Sequence, residues 1–423
     1  MNRSAMMMCM VAGVVGVAST WAMADWPGYR GVGAQGIATA KAGPESLSGL
    51  KEIWRVPLGE AFGEIAVAGD KAVVLGKRGD DEMAMALDAK TGKELWATRI
   101  DKTVKEKQGG DGPRTTPAID GGKAYVYGTY MKLYCLDLET GAEVWKHEVL
   151  PEFGGKQIGG ISTWGNAVSP TVVDDVVIVE GGGKEKGILA FDKTTGKLVW
   201  ASTSDLVTHA SPTVATIAGQ KQVICFMQSG LVSVEPKTGS VLWKFAHPYK
   251  VSTAASAVVG GKNGDIVYCS AGYGVGAAGC RVTRDGDKWT ATKLWRTEAE
   301  DNENHGNQNH WSTPVAFGGY VYGLYGHNDP KGNLSCVDIE TGKPAWIQKG
   351  IGTQGGVILV GDKLVVHDTA GELVLVAASP DAYKELGRVS EFKGKSWIGP
   401  SYSDGNIFAR SATEGACFAV DVK

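Results

Sequence analysis

The stretch Leu87 to Trp96, LDAKTGKELW, returns along the chain as LDLETGAEVW (Leu136 to Trp145), FDKTTGKLVW (Phe191 to Trp200), VEPKTGSVLW (Val234 to Trp243) and VDIETGKPAW (Val337 to Trp346). Self-similarity on this scale marks a repeat architecture. Each copy reads as a strand ending on an acidic residue, a turn built on Thr-Gly, and a second strand stopped by Trp. The acidic and threonine side chains can hydrogen-bond the turn backbone, and the glycine supplies a left-handed position. The unit is a β-hairpin.

Following the closing tryptophans outward gives Trp54, Trp96, Trp145, Trp200, Trp243, Trp295 and Trp346. The intervals of roughly 50 residues leave room for four short strands each. Two units are degenerate. Before Trp295 the Thr-Gly turn is replaced by Arg284-Asp285-Gly286-Asp287, and the unit ending near Leu386-Gly387-Arg388 has lost its Trp. The tail from Trp397 holds three strands (SWIGPSYS, NIFARSA and ACFAVDV), while KEIWRVPL (Lys51 to Leu58) matches only the end of a unit. The N-terminal strand is therefore expected to complete the C-terminal sheet, which removes open edges. The count is eight blades of four antiparallel strands: an all-β, eight-bladed β-propeller over residues 51–423, preceded by a leader over 25–50.

Composition agrees with a soluble repeat fold. The 423 residues carry 60 glycines, as many tight turns require, and a net charge of −3 with no basic face for nucleic acid. Residues 1–24 read as a signal peptide: Arg3, an apolar run from Met6 to Ala18, then Ala22-Met23-Ala24, with cleavage expected after Ala24. Export to the periplasm or the medium follows, as a monomer that does not span a membrane. Cys135 and Cys336 hold the same place in two repeats and read as small buried residues. Cys269 and Cys280 flank SAGYGVGAAG; a hairpin centred near Gly274 and Val275 would bring them face to face, a disulfide candidate whose alternative is two free buried thiols.

The repeat resembles that of the pyrroloquinoline-quinone-type β-propellers, which share a propeller architecture with WD40/YVTN-like proteins. The resemblance covers nearly all of the chain after residue 24. It implies a girdle of tryptophans docking between blades, and it spans quinoprotein alcohol dehydrogenases, the outer-membrane assembly lipoprotein of the propeller type and exported propellers without assigned activity. Those dehydrogenases carry adjacent cysteines over the cofactor and a calcium set; here no two cysteines are adjacent, the calcium residues find no matching motif, and no C-x-x-C-H is present.

Specificity is expected where the units differ, in the loops leading into the inner strands. Those loops carry Arg114, Trp164, Asn166, His209, His305, His310 and Trp311. They are expected around one channel mouth, as a binding site for a protein, peptide, glycan or small molecule. The loop EDNENHGNQNHWSTP, with His305 and His310 near Glu298, Glu300, Asp301 and Glu303, matches no defined metal spacing, and no metal is assigned to it. Asn328-Asp329 reads as turn chemistry. Catalytic residues are unassigned. The leading expectation is an exported binding or scaffold module; the alternative is a dehydrogenase of alcohols or sugars using pyrroloquinoline quinone with calcium.

Overall fold

The structure is a computed structural model that describes residues 26–40, 42–155, 164–297, 308–326 and 332–421. The proposed cleavage site, His305 and the acidic cluster beside it, and Asn328-Asp329 lie outside the described residues.

Eight four-stranded antiparallel sheets form the ring. Seven are continuous in sequence. The eighth is assembled from both ends of the chain: Lys51–Pro57 runs antiparallel to Glu414–Ala419, with Trp54 opposite Cys417. Neighbouring blades meet through their short inner strands, such as Ala66–Ala68, Ala118–Asp120 and Thr171–Val173. The core lies between consecutive sheets, where valine, isoleucine, leucine and tyrosine side chains from facing strands are wholly buried.

The repeated hairpin has a local and an inter-blade rationale. Asp88 Oδ1 accepts from the backbone N–H of Lys90 (3.1 Å) and Thr91 (2.8 Å) and from the Thr91 hydroxyl (2.8 Å). Asp137, Asp192 and Asp338 repeat the pattern. These bonds hold the carboxyls of Asp88, Asp137 and Asp192 below their ordinary range, with the threonine and lysine partners as the cause. The turn glycine then serves as the seat for the previous blade's tryptophan. Gly141 has φ +71°, and a Cβ there would lie 2.5 Å from Trp96; Gly92, Gly196, Gly239 and Gly342 stand in the same relation to Trp54, Trp145, Trp200 and Trp295. Each indole also donates to the carbonyl following the acidic residue: Trp54 to Ala89 (2.9 Å), Trp96 to Leu138 (2.9 Å), Trp200 to Pro236 (2.8 Å) and Trp295 to Ile339 (2.9 Å).

The degenerate units show what replaces the girdle. Trp243 faces the blade without a Thr-Gly turn, and its indole N–H turns back to Gln222 Oε1 of its own blade at 2.7 Å. Where the seventh blade lacks its Trp, Leu47 of the leader packs on Gly387, 1% exposed and part of the core between the last two blades. Opposite each tryptophan stands a small residue, among them Cys135 against Trp145 and Cys336 against Trp346. Both cysteines are buried free thiols, as their matching positions imply.

The pairing of Cys269 with Cys280 is corrected by the register. The hairpin turns over Gly272–Val275, with Ala271 opposite Gly276, which sets Cys269 against Ala278 and Cys280 against Val267. The turn sits one residue earlier than a centre at Gly274-Val275 requires, so the cysteines are diagonal and both are free thiols.

Candidate functional site at the channel mouth

Loops lead into the inner strands from one face of the ring, and four junctions between neighbouring loops are stitched two residues ahead of the inner strands. Glu64 N–H donates to Thr116 Oγ1, Thr116 N–H to Ser169 Oγ, Ser169 N–H to Ser211 Oγ, and Ser256 N–H to Thr313 Oγ1, each at 2.9 Å. The Ser-Pro and Thr-Pro pairs of the sequence thus link blade to blade around the channel, satisfying backbone N–H groups that the narrow channel would otherwise strand.

Below this ring the channel is filled by the leader. Trp26 bridges to Val67, Ile37 to Leu359, and Gln35 Nε2 donates to Val214 O at 2.6 Å. Arg30 is buried at the centre, donating through one terminal nitrogen to Val357 O (3.1 Å) and through the other to Pro314 O (2.6 Å). The backbone must turn sharply to do this, with Gly31, Gly33 and Gly36 at φ of +70°, +65° and +72°. The Gly36 position also lies against the Arg30 guanidinium, where a Cβ would collide at 2.2 Å.

The leader turns the channel into a blind cavity of about 590 Å³, open on the loop face. One wall is a run of rings: Tyr273 against His310 (centroids 5.0 Å), His310 against Trp311 (4.2 Å), Trp311 against Trp397 (5.3 Å) and Trp397 against Phe62 (5.9 Å). Across the cavity Trp164 meets His209 edge-on at 5.9 Å. The structure therefore brings Arg114, Trp164, His209, His310 and Trp311 to one mouth. Asn166 is not among the lining residues. It is fully buried, donates to the carbonyls of Gly128 (3.3 Å) and Val168 (3.2 Å) and accepts from Val168 N–H, so it pins its loop to the second blade.

Sequence reasoning missed Phe62, Tyr273 and Trp397, and also the leader's Tyr29 and Arg30 with Glu64 beneath them. The compact Trp-Pro-Gly-Tyr-Arg-Gly at 26–31, with large side chains in a Gly- and Ala-rich segment, was the available signal for the leader; the rings converge only through blade order.

The polar groups are largely committed. Arg114 donates to Gly112 O and Gly110 O at 2.9 Å each, lies over the Phe62 ring at 5.1 Å and has Glu106 at 3.7 Å. Burial lowers its pKa, against the raising effect of Glu106 and other acids. His209 shares a 2.8 Å hydrogen bond between Nδ1 and Ser252 Oγ, and burial together with the Arg114 charge pulls it down to about 4. It is a neutral imidazole at pH 7. Glu64 is pushed up to about 7, chiefly by burial, against the Arg30 charge that favours its ionised form.

Residues 48–115, 86–348 and 250–382 match the PQQ_2 family, described as outer membrane protein assembly factor BamB. The chain belongs to this family. It is 25% identical over 337 residues to the outer membrane protein assembly factor BamB of Burkholderia pseudomallei, covering 76% of each protein. It is 33% identical over 125 residues to the dehydrogenase subunit of a quinone alcohol dehydrogenase from Komagataeibacter europaeus, a match spanning 28% of this chain and 16% of that subunit. Among solved structures, the quinohemoprotein alcohol dehydrogenase of Comamonas testosteroni superposes with a TM-score of 0.67 at 15% identity (93% of this chain, 80% of that one). BamB of Moraxella catarrhalis superposes with a TM-score of 0.58 at 16% identity, covering 88% and 98%. At these identities the superpositions establish the PQQ-type propeller fold; both kinds of relative share it.

The fit of a quinone with calcium can be tested on the donors present. Among the described residues no group of three or more His, Cys, Asp or Glu side chains is placed to hold a metal. Among the described residues the one carboxylate lining the cavity, Glu64, has Oε2 engaged by Arg30 N–H (2.8 Å) and the Trp26 indole (3.4 Å). That leaves a single open carboxyl oxygen beside the Arg30 guanidinium, far short of the roughly six to eight oxygen ligands that calcium takes, so the described residues do not fit that cofactor pair.

Proposed function

We propose that this protein is an exported binding propeller that takes a small ligand into the blind cavity at the channel mouth. The observation that carries the reading is the closure of the channel by residues 26–38, which converts a through-hole into a pocket of about 590 Å³ with a continuous aromatic wall. That volume lies within the range of small-molecule sites, and a few fixed polar groups among aromatic side chains are what such sites use for orientation. Export rests on the apolar run from Met6 to Ala18 followed by Ala22-Met23-Ala24, and fits the relatives named for outer-membrane assembly. As in any propeller, the outer surface remains available to a protein partner.

The test is a thermal-shift screen of the mature protein against sugars, peptides, quinones and divalent metals, repeated on an Arg114→Ala/His310→Ala double variant. A ligand that raises the melting temperature of the parent, and at 100 times its Kd adds about 2.7 kcal/mol, should lose most of that effect in the double variant. A ligand indifferent to both changes but sensitive to Thr140→Ala and Thr341→Ala, on the hairpins of the opposite face, would place the site elsewhere.

A further inference from the structure

The positions two residues ahead of the inner strands form a ring around the channel, and Glu64, Thr116, Ser211, Thr313 and Gly399 of that ring line the cavity. Around that ring stand Thr116, Ser169, Ser211, Ser256, Thr313, Gln354 and Gly399, all uncharged, and in the first blade Glu64. The Glu64 backbone obeys the common rule, its N–H donating to Thr116 Oγ1 at 2.9 Å. A carboxyl is what this blade adds. It is only 5% exposed, and its Oε2 is held by the leader's N–H groups. Oε1 has no hydrogen-bond partner among the described residues, and Glu64 lines the cavity. A buried acceptor left open toward a cavity calls for a donor from whatever fills it.

The surrounding chemistry narrows the donor. Both arginines at the cavity spend their terminal nitrogens on backbone carbonyls, Arg30 on Val357 and Pro314, Arg114 on Gly112 and Gly110. A ligand carboxylate would find one open guanidinium N–H, Arg30 Nε, and would meet it beside the Glu64 carboxyl, while an ammonium group would enter against two fixed positive charges. Neutral hydroxyls meet neither obstacle. Thr116 and Ser211 use their oxygens to accept N–H groups from neighbouring loops, and their O–H groups donate to none of the described residues. The walls above are the planes of Trp311 and Trp397, facing Trp164 across the mouth.

From this we infer that the cavity binds a neutral saccharide, one to three rings long, with a ring hydroxyl donating to Glu64 Oε1 and the ring's C–H faces against the indoles. The inference rests on the reading of the cavity as a ligand site and gives that site its ligand class. Carbon-bound hydrogens favour the negative face of an aromatic ring, while the hydroxyls at the sugar's edge reach the acceptors and donors of the floor.

The experiment is a titration of the mature protein, followed by tryptophan fluorescence and calorimetry, with glucose, N-acetylglucosamine and their β-1,4-linked di- and trisaccharides. Spermidine, benzoate and pyrroloquinoline quinone are titrated in parallel. The expected result is saturable binding of at least one saccharide, weakened tenfold or more by Glu64→Gln and by Trp311→Ala, and unchanged by Thr341→Ala. Glu64→Gln keeps an acceptor for the leader's N–H groups; if it nonetheless fails to fold, the half-exposed Trp311 carries the test. Saccharide binding indifferent to the variant that folds overturns the inference. Binding of the amine, the carboxylate or the quinone without any saccharide overturns it too, while leaving the cavity a ligand site. No saturable binding by any probe defeats both.

Discussion

Replacing Gly141 by alanine probes the girdle with an internal control. The new Cβ would lie 2.5 Å from Trp96 Cε3, 2.6 Å from Cδ2 and 2.8 Å from Thr98 Oγ1, at a φ of +71°. The left-handed backbone alone costs an L-residue about 1–2 kcal/mol. The overlap adds about 1–3 kcal/mol, because the indole is clamped by its bond to Leu138 O and cannot yield without losing it. The expected destabilisation is thus about 2–5 kcal/mol. Gly286 of the degenerate hairpin has φ +58° and nothing within 4 Å of its would-be Cβ, so alanine there should cost only the backbone contribution. Urea unfolding followed by circular dichroism gives both values. In a Trp96→Ala/Thr98→Ala background, which removes both neighbours of the new Cβ, the Gly141→Ala cost should fall to that of Gly286→Ala, and removing Trp96 alone should lower it part of the way. Equal costs for Gly141→Ala and Gly286→Ala in the parent, or a Gly141→Ala cost unchanged by removing Trp96, would refute the girdle as the reason for the repeated glycine.

Three further outcomes follow from the same contacts. Deleting Lys51 to Leu58 strips the last sheet to three strands and exposes the edge of Glu414–Ala419, so the variant should aggregate on light scattering; unchanged solubility and melting temperature would mean the pairing is dispensable. Leu47→Ala empties the space that a tryptophan fills in other blades and should cost about 2–5 kcal/mol by urea unfolding, against little for a surface leucine such as Leu206, 56% exposed. Stability should fall between pH 6.5 and 8.5. Burial raises Glu64 and Glu82 to about 7 and Glu180 to about 8, so the folded state keeps protons that the unfolded chain has already released above pH 4.5, and their stabilising contribution is lost as pH rises through those values. His209, His247 and His367, lowered by burial to about 4, 3 and 4, act in the opposite sense only below pH 6.5, where stability is lost as pH falls toward their folded values. Calorimetry giving a higher melting temperature at pH 8.5 than at 6.5 would contradict this, and Glu180→Gln should flatten the decline.

The sequence by itself determined the repeat, the four-strand unit, the eight blades and the use of Lys51 to Leu58 as a strand of the last one. These are legible because each is local: a hairpin's Asp, Thr and Gly act on one another within a few residues, and the closing Trp marks where each unit ends. It also determined which loops differ, and hence that Arg114, Trp164, His209, His310 and Trp311 belong together. What it left open depends on register and on order around the ring. A turn one residue earlier than expected put Cys269 opposite Ala278, because strand pairing changes with a single step of the turn. Asn166 looked like a mouth residue and is an internal clamp, a difference that only the position of the second blade's carbonyls decides. The leader gave no periodic signal, since it forms almost no regular structure; its place is set by N–H groups that it donates to carbonyls of several blades at once, those of Val67, Val214, Pro314 and Val357. That convergence, in which residues far apart in the chain meet only because the ring closes on them, is why the cavity and the open carboxyl oxygen of Glu64 were decided by the tertiary structure.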